Sequence, residues 1–203
     1  EFVIEAEELL EALGDRLVAE YLVQKGLPGL FRVHEEPVQD AYEKLRQALA
    51  RLGYTLPPKL SGHALQKALL ASRGRPEEPV VAYLVLRSLR LARYAPENLG
   101  HFGLAMEHYL HFTSPIRRYP DLVVHRTLRE FRHGKLSDTL YEERVEELPE
   151  VGRHTSEMER RADEATRDVD AWLKCYYMQD RIGEEFAGSI SSVVPFGIFV
   201  ALD

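Results

Sequence analysis

Apolar residues recur every three or four positions over residues 2–24, through Phe2, Ala6, Leu9, Leu10, Leu13, Leu17, Tyr21 and Leu22, which predicts an amphipathic helix. Gly26-Leu27-Pro28-Gly29 ends it. Leu30 to His34 alternates and predicts a short strand. Helical spacing returns over 38–52 through Ala41, Leu45, Leu49 and Leu52, until Pro57-Pro58 breaks the chain. Ser61 is placed to N-cap a helix running to Ser72. Pro76 and Pro79 bracket the next break, and Val80 to Tyr94 reads as an apolar helix. Pro96 to Gly103 reads as loop, and Leu104 to Phe112 as strand or extended chain. Pro115 suits the first turn of a helix reaching about Phe131, and His133 to Glu142 reads as polar connection.

The longest helical pattern covers 150–182, with Val151, Met158, Ala162, Ala165, Val169, Trp172, Leu173 and Tyr176 on one stripe. Glu157–Arg161, Arg160–Glu164 and Asp163–Arg167 are opposite charges four apart, each pair worth ~0.2–0.5 kcal/mol on a solvated face. After Gly183 the period changes. Phe186 to Ser191 and Phe196 to Leu202 predict two strands around Pro195-Phe196-Gly197.

Composition narrows the class. With 203 residues the chain holds one domain, or one and part of another. Apolar residues at 45% and charged residues at 29% exclude a wholly disordered chain. No apolar run approaches the ~18–20 residues of a membrane helix. The lone Cys175 excludes a disulfide framework and a cysteine-built zinc site, and points to a reducing compartment, the cytoplasm. The net charge of −7 argues against indiscriminate coating of nucleic acid, yet leaves room for a local basic site. The chain opens Glu1-Phe2-Val3-Ile4 without methionine or signal peptide and stops inside a strand-like run, so we expect a segment of a longer polypeptide.

The candidate chemistry lies in residues 111–126. Thr113 and Ser114 offer hydroxyls just before a helix whose free N–H groups favour an anion. Arg117 and Arg118 fall in the expected first turn, where cations oppose the helix dipole unless an anion joins them. An arginine fork matches a phosphate by two parallel hydrogen bonds. From Pro115 to Lys135 six basic residues (Arg117, Arg118, Arg126, Arg129, Arg132, Lys135) face two acids (Asp121, Glu130). Two readings stay open: phosphate binding, or arginines paired with internal carboxylates such as Asp121. Thr113 and Ser114 suit either phosphate contact or helix capping. His108, His111 and His125 lack the cysteine or close carboxylate partners of a metal centre.

Thr113-Ser114-Pro115-Ile116-Arg117-Arg118-Tyr119-Pro120-Asp121-Leu122, continuing to His125-Arg126, resembles the signature of the ribonuclease II/R family in its RNB catalytic domain. Leu30 to Pro37 and Gly100 to Ala105 resemble further family segments. Glu159 to Val169 is similar to the long helix late in that domain, in a form closer to ribonuclease R. Gly183 to Leu202 resembles the opening strands of an S1-type OB fold. Residues 9–18 depart from the family pattern by their length.

The resemblance implies an α+β, mostly helical fold: the C-terminal part of an RNB catalytic domain over 1–182, then the first strands of an OB-fold barrel over 183–203. It implies a 3′-to-5′ exoribonuclease that processively releases 5′-nucleoside monophosphates by Mg²⁺-assisted hydrolysis. The alternative is a non-catalytic RNA-binding or regulatory member of the same family. The Mg²⁺ ligands, a cluster of aspartates, are expected upstream, so this segment alone is expected to be inactive and to need the rest of its polypeptide. Arg117 takes the catalytic role at the scissile phosphate. Arg118, Thr113, Ser114, Tyr119, His111, Phe196 and Phe199 are the candidate contacts to single-stranded RNA. No metal ligand is assigned here, no membrane association is expected, and the family implies a monomer.

Overall fold

The computed structural model describes residues 2–202; the side chains of 2–9, 189, 191 and 192 lie outside the description. The fold is α+β and mostly helical, in two compact units, residues 1–158 and 159–203. In order, the elements are α1 (Phe2–Lys25), β1 (Phe31–Val33), α2 (Gln39–Arg51), α3 (Gly62–Ser72), α4 (Glu78–Ser88), β2 (Arg93–Ala95), α5 (Tyr119–Arg132), α6 (Asp138–Met178), β3 (Gly188–Val194) and β4 (Gly197–Leu202).

The first unit has two packing centres. Tyr42, Leu45 and Leu49 of α2 meet Leu65 and Ala68 of α3 and Val81 and Val85 of α4 in one buried cluster. The Ser61 hydroxyl accepts the Ala64 N–H and caps α3 as expected. The second centre joins Ala19 and Leu22 of α1, Phe31 and Val33 of β1, Ala95 of β2, Val124 of α5, and Leu110 from the segment before α5. Strands β1 and β2 pair antiparallel, Phe31 opposite Ala95 and Val33 opposite Arg93. The segment before the signature lies against β1, where Arg32 N–H donates to the Tyr109 carbonyl at 3.0 Å.

Four expectations are corrected. The α1 stripe does not bury Leu10, Leu13, Leu17 or Tyr21, which are exposed; Asp15, Ala19 and Leu22 face the core. Phe2, Ala6 and Leu9 lie outside the described side chains. Helix α4 ends at Ser88 rather than Tyr94, and Arg93 to Ala95 is strand. Pro96 disfavours helical backbone at Ala95, which suits β2. Helix α6 begins at Asp138, capped by the Ser137 hydroxyl accepting Leu140 N–H, so the polar connection is only 133–137. Helix α5 begins at Tyr119 rather than Pro115, with Arg118 as an extended N-cap residue. A helix starting at Pro115 would carry Pro120 in its second turn, where the missing N–H and the ring break it; starting at Tyr119 places Pro120 in the first turn.

In the second unit, β3 and β4 form an antiparallel hairpin with Pro195-Phe196 between paired Val194 and Gly197. Phe186 lies outside both strands and is exposed. On α6, Glu157 pairs with Arg153 rather than Arg161, and none of the three expected ion pairs forms among the described residues.

Candidate functional site

Residues 114–118 make a tight turn ahead of α5. The Ser114 carbonyl accepts the Arg117 N–H at 3.2 Å and the Arg118 N–H at 3.0 Å. Its lock is Asp121, a fully buried carboxylate in the first turn of α5. Asp121 Oδ2 accepts Ser114 N–H at 2.8 Å, Arg118 Nε at 3.1 Å and Arg118 Nη2 at 2.8 Å. Arg118 Nη2 also donates to Thr113 Oγ1 at 3.2 Å. A negative side chain here complements the positive end of the helix. The charge of Arg118, only 19% exposed, is thus held against a carboxylate instead of against the dipole.

Arg117 differs. It is exposed at the tip of the turn, beside Ile116 at 98% exposure, and has no ion-pair or hydrogen-bond partner for its guanidinium among the described residues. The two adjacent arginines therefore have different work. Arg118 is committed to Asp121 and Thr113, and Arg117 keeps its donor fork for something outside. Thr113 accepts from Arg118, and Ser114 closes the turn through its backbone; neither hydroxyl caps α5, which has no side-chain cap.

A second buried acid fixes the approach to the turn. Asp15 of α1, 2% exposed, accepts Phe112 N–H at 2.9 Å and Thr113 N–H at 3.1 Å. Burial raises its carboxyl above the ordinary value, and those two N–H groups and Arg118 pull it back. On the other side, His125 Nε2 lies 2.9 Å from the Phe112 carbonyl, and its ring stacks on Phe112 at 4.0 Å.

Aromatic rings line the neighbouring surface. The Tyr94 hydroxyl and His111 Nδ1 are 2.8 Å apart, and His111 meets the Tyr94 and Tyr109 rings edge to face. His101 meets Tyr109 and His34 in the same way. The Arg32 guanidinium sits 4.7 Å over the Tyr94 ring. Burial, then the charges of Arg118, Arg32, His101 and Arg117, hold His111 down to about 3; burial, His34 and Arg32 hold His101 down to about 4. At neutral pH both imidazoles are uncharged hydrogen-bonding rings, and the positive charge stays on the arginines.

Tyr119, Phe196 and Phe199 complete the candidates. Tyr119, first residue of α5, is half exposed, with Arg126 set 6.0 Å from its ring. Phe196 and Phe199 are 85% and 53% exposed on the hairpin of the second unit, in edge-to-face contact with each other. The sequence reading missed Asp15, Arg32, Tyr94, His101 and Tyr109. Asp15 had a signal: it lies at i−4 and i−7 from Ala19 and Leu22, a lone acid on the buried stripe. Arg32 meets Tyr94 across sixty-two residues of chain, and Tyr94, His101 and Tyr109 come together through an irregular segment with no period to read. Among the described residues no group of three or more His, Cys, Asp or Glu is placed to hold a metal ion, so these residues do not form a metal centre by themselves.

The RNB domain family model matches residues 5–134. Ribonuclease R of Aquifex aeolicus is 48% identical over 92% of this chain and 26% of its own length. Ribonuclease R of Escherichia coli is 43% identical over 98% of this chain and 26% of its own. Mycoplasma genitalium RNase R superimposes with a TM-score of 0.90 in its apo form and 0.89 in complex with ribose-methylated single-stranded RNA, at 28% and 29% identity, over 97% of this chain and 31% of that one. The chain thus spans about a quarter to a third of the length of these relatives. The turn, the helix it opens and the match over residues 5–134 agree: the chain belongs to the RNB domain family.

Proposed function

We propose that this chain is the phosphate-gripping part of a 3′-to-5′ exoribonuclease, which releases 5′-nucleoside monophosphates processively by metal-assisted hydrolysis. The support is the division of labour between Arg117 and Arg118. A turn pinned by Asp121 and Asp15 presents one free guanidinium, Arg117, next to uncharged rings that suit nucleotides. Arg117 would donate to the non-bridging oxygens of the scissile phosphate, where negative charge grows in the transition state. Arg118 acts as a positioning residue and adds a nearby positive field. His111, Thr113, Ser114 and Tyr119 would flank the 3′ end, and Phe196 and Phe199 would stack on RNA bases. We read residues 183–203 as the opening strands of an S1-type OB fold, and 1–182 as RNB domain. Mg²⁺, which activates water in such hydrolysis, would come with carboxylates outside the described residues. Single-stranded RNA is the partner by analogy with the M. genitalium complex. We place the enzyme in the cytoplasm as a monomer.

The test is single-turnover release of the 3′ nucleotide from a short single-stranded RNA by the full chain with its remaining domains. Arg117→Ala should lower the rate at saturating RNA by roughly 10²–10³-fold, as loss of a transition-state donor does. Arg117→Lys should recover little, because an ammonium cannot reproduce the fork. A folded Arg117→Ala protein that cleaves within threefold of the parent removes Arg117 from the chemistry. RNA binding without any cleavage by the parent, with Mg²⁺ present, would favour the non-catalytic relative.

A further inference from the structure

The C-terminal half of α5, a helix about 20 Å long for its 14 residues, carries a second concentration of positive charge, whose nearest member to the signature turn is Arg126, 6.0 Å from the Tyr119 ring. A cavity of about 530 Å³ opens there between Arg126, Arg129, Glu130 and His133, the Lys135 that follows, and Arg144 of α6. Arg126, Arg129 and His133 are spaced i, i+3 and i+7, so one face of α5 supplies three of these groups. Arg144 enters from a different helix. The one carboxylate, Glu130, is already taken: its Oε1 accepts Arg144 Nη2 at 2.8 Å. Arg126, Arg129, His133 and Lys135 have no carboxylate partner among the described residues.

Cations at a helix C-terminus are favoured by its dipole, and that alone explains some of this charge. It does not explain all of it. The last carbonyls of α5 are capped by backbone: His133 N–H donates to Arg129 O, Gly134 N–H to Phe131 O, and Lys135 N–H to Glu130 O. Arg126 lies two turns before the end, beyond the reach of the dipole effect, and Arg144 is on another helix. The Glu130–Arg144 pair is also incompletely served. Glu130 Oε2 and Arg144 Nε are buried without a hydrogen-bond partner among the described residues. In a chain of net charge −7, these exposed cations without a carboxylate partner among the described residues make one locally positive concavity that attracts anions.

We propose that this cavity binds a multiply charged phosphate anion. Two arginine forks, a lysine and an imidazole suit non-bridging phosphate oxygens, and the volume falls in the range of small-ligand pockets. No Phe, Tyr or Trp lines it, so charge rather than base stacking sets its ligand. The phosphates come either from a free oligophosphate or from an RNA backbone. The site stands without the hydrolytic reading above, because neither Arg117 nor the turn takes part.

The experiment titrates inorganic pyrophosphate into the full chain by calorimetry, for the parent, Arg129→Glu/Lys135→Glu and, as a control, Lys67→Glu on the exposed face of α3. Both residues of the double variant are exposed and outside the buried cores, so folding should persist, and circular dichroism melting checks it. The double variant should lose at least tenfold in affinity, and Lys67→Glu should bind as the parent does. A parallel titration with single-stranded RNA separates the sources. If RNA affinity and its salt slope fall with the double variant, the pocket takes backbone phosphates. If RNA affinity holds while pyrophosphate is lost, it takes a free anion. No pyrophosphate binding by the parent, equal binding by the double variant, or an equal loss in Lys67→Glu overturns the proposal.

Discussion

Asp121 is fully exhausted at one oxygen and unpaired at the other: Oδ2 accepts from Ser114 and twice from Arg118, while Oδ1 is buried without a partner among the described residues. Replacing it by asparagine removes the negative charge but keeps the shape. Breaking a buried pair costs on the order of 3 kcal/mol, chiefly because the surviving charge is left uncompensated. Asp121→Asn should therefore lower the urea midpoint and loosen the turn, whereas Arg117→Ala should leave stability within about 0.5 kcal/mol as an exposed substitution. Equal midpoints for Asp121→Asn and parent would show that Asp121 does not hold the turn. Histidine supplies a pH effect. His111 is held down to about 3 and His101 to about 4, against an ordinary 6.5. The unfolded chain takes up these protons near pH 6.5 and the folded chain only well below, so their contribution is complete above 6.5 and fades as pH falls through that window. Asp15, with its carboxyl raised above 3.8 by burial, works in the opposite sense in the window above 3.8. Melting temperature should drop from pH 7 to pH 5, and His111→Gln should reduce the drop; an unchanged drop would contradict the burial of a neutral imidazole. The signature residues themselves were legible in the sequence because they are contiguous. Whether Arg118 or Arg117 pairs with Asp121 was not, because that depends on where α5 begins.

At the scale of elements, periodicity located α2 and α3 well, since each buries one regular stripe and has a clear start or stop. It overran where two signals compete. Val80 to Leu86 is apolar, and Arg87 to Tyr94 interleaves Arg87, Ser88, Arg90 and Arg93 with Leu89, Leu91 and Ala92 in a mix that suits helix or strand, so the change from α4 to β2 has only Pro96 as a clear mark. The early start of α6 was hidden by Pro149, which normally breaks a helix. Tertiary docking carries α6 across that proline: Leu148 packs with Leu30 and Val123, and the Ser156 hydroxyl accepts Tyr94 N–H at 2.9 Å and donates to the Gly152 carbonyl at 2.7 Å. Gly152 is needed for this approach. A Cβ there would lie 2.9 Å from the Tyr94 carbonyl oxygen and 3.2 Å from Leu30 Cδ2. The neighbour is backbone on β2 and cannot swing away. Gly152→Ala should destabilise by roughly 1–3 kcal/mol through overpacking, even though alanine favours helix by about 1 kcal/mol. Thermal melting tests it; a variant as stable as the parent would mean that α6 does not pack closely on β2.

At the scale of the whole molecule, the first unit carries the gripping turn and the second carries two exposed phenylalanines on a hairpin. The hairpin was readable in the sequence because strand alternation flanks a proline-glycine turn. That its aromatics stay exposed was not, since alternation alone does not say which face is covered. Exposed phenylalanines on a strand and its turn offer flat surfaces on which bases stack with little regard to sequence. On the proposed reading they supply affinity and not chemistry. Replacing both Phe196 and Phe199 by alanine should weaken binding of single-stranded RNA by about 1–3 kcal/mol for each stack lost. Because ground state and transition state lose the same contact, the rate at saturating RNA should stay near that of the parent, while the RNA concentration needed for half-saturation rises. Arg117→Ala should show the converse: a large fall in rate at saturation with a small change in affinity. Crossing the two sets of changes makes the argument complete. If they act independently, the triple variant should combine the affinity loss of one with the rate loss of the other, additively in free energy. A hundredfold fall in saturated rate from the phenylalanine changes, with affinity intact, would place the hairpin in the chemical step and end this division of roles.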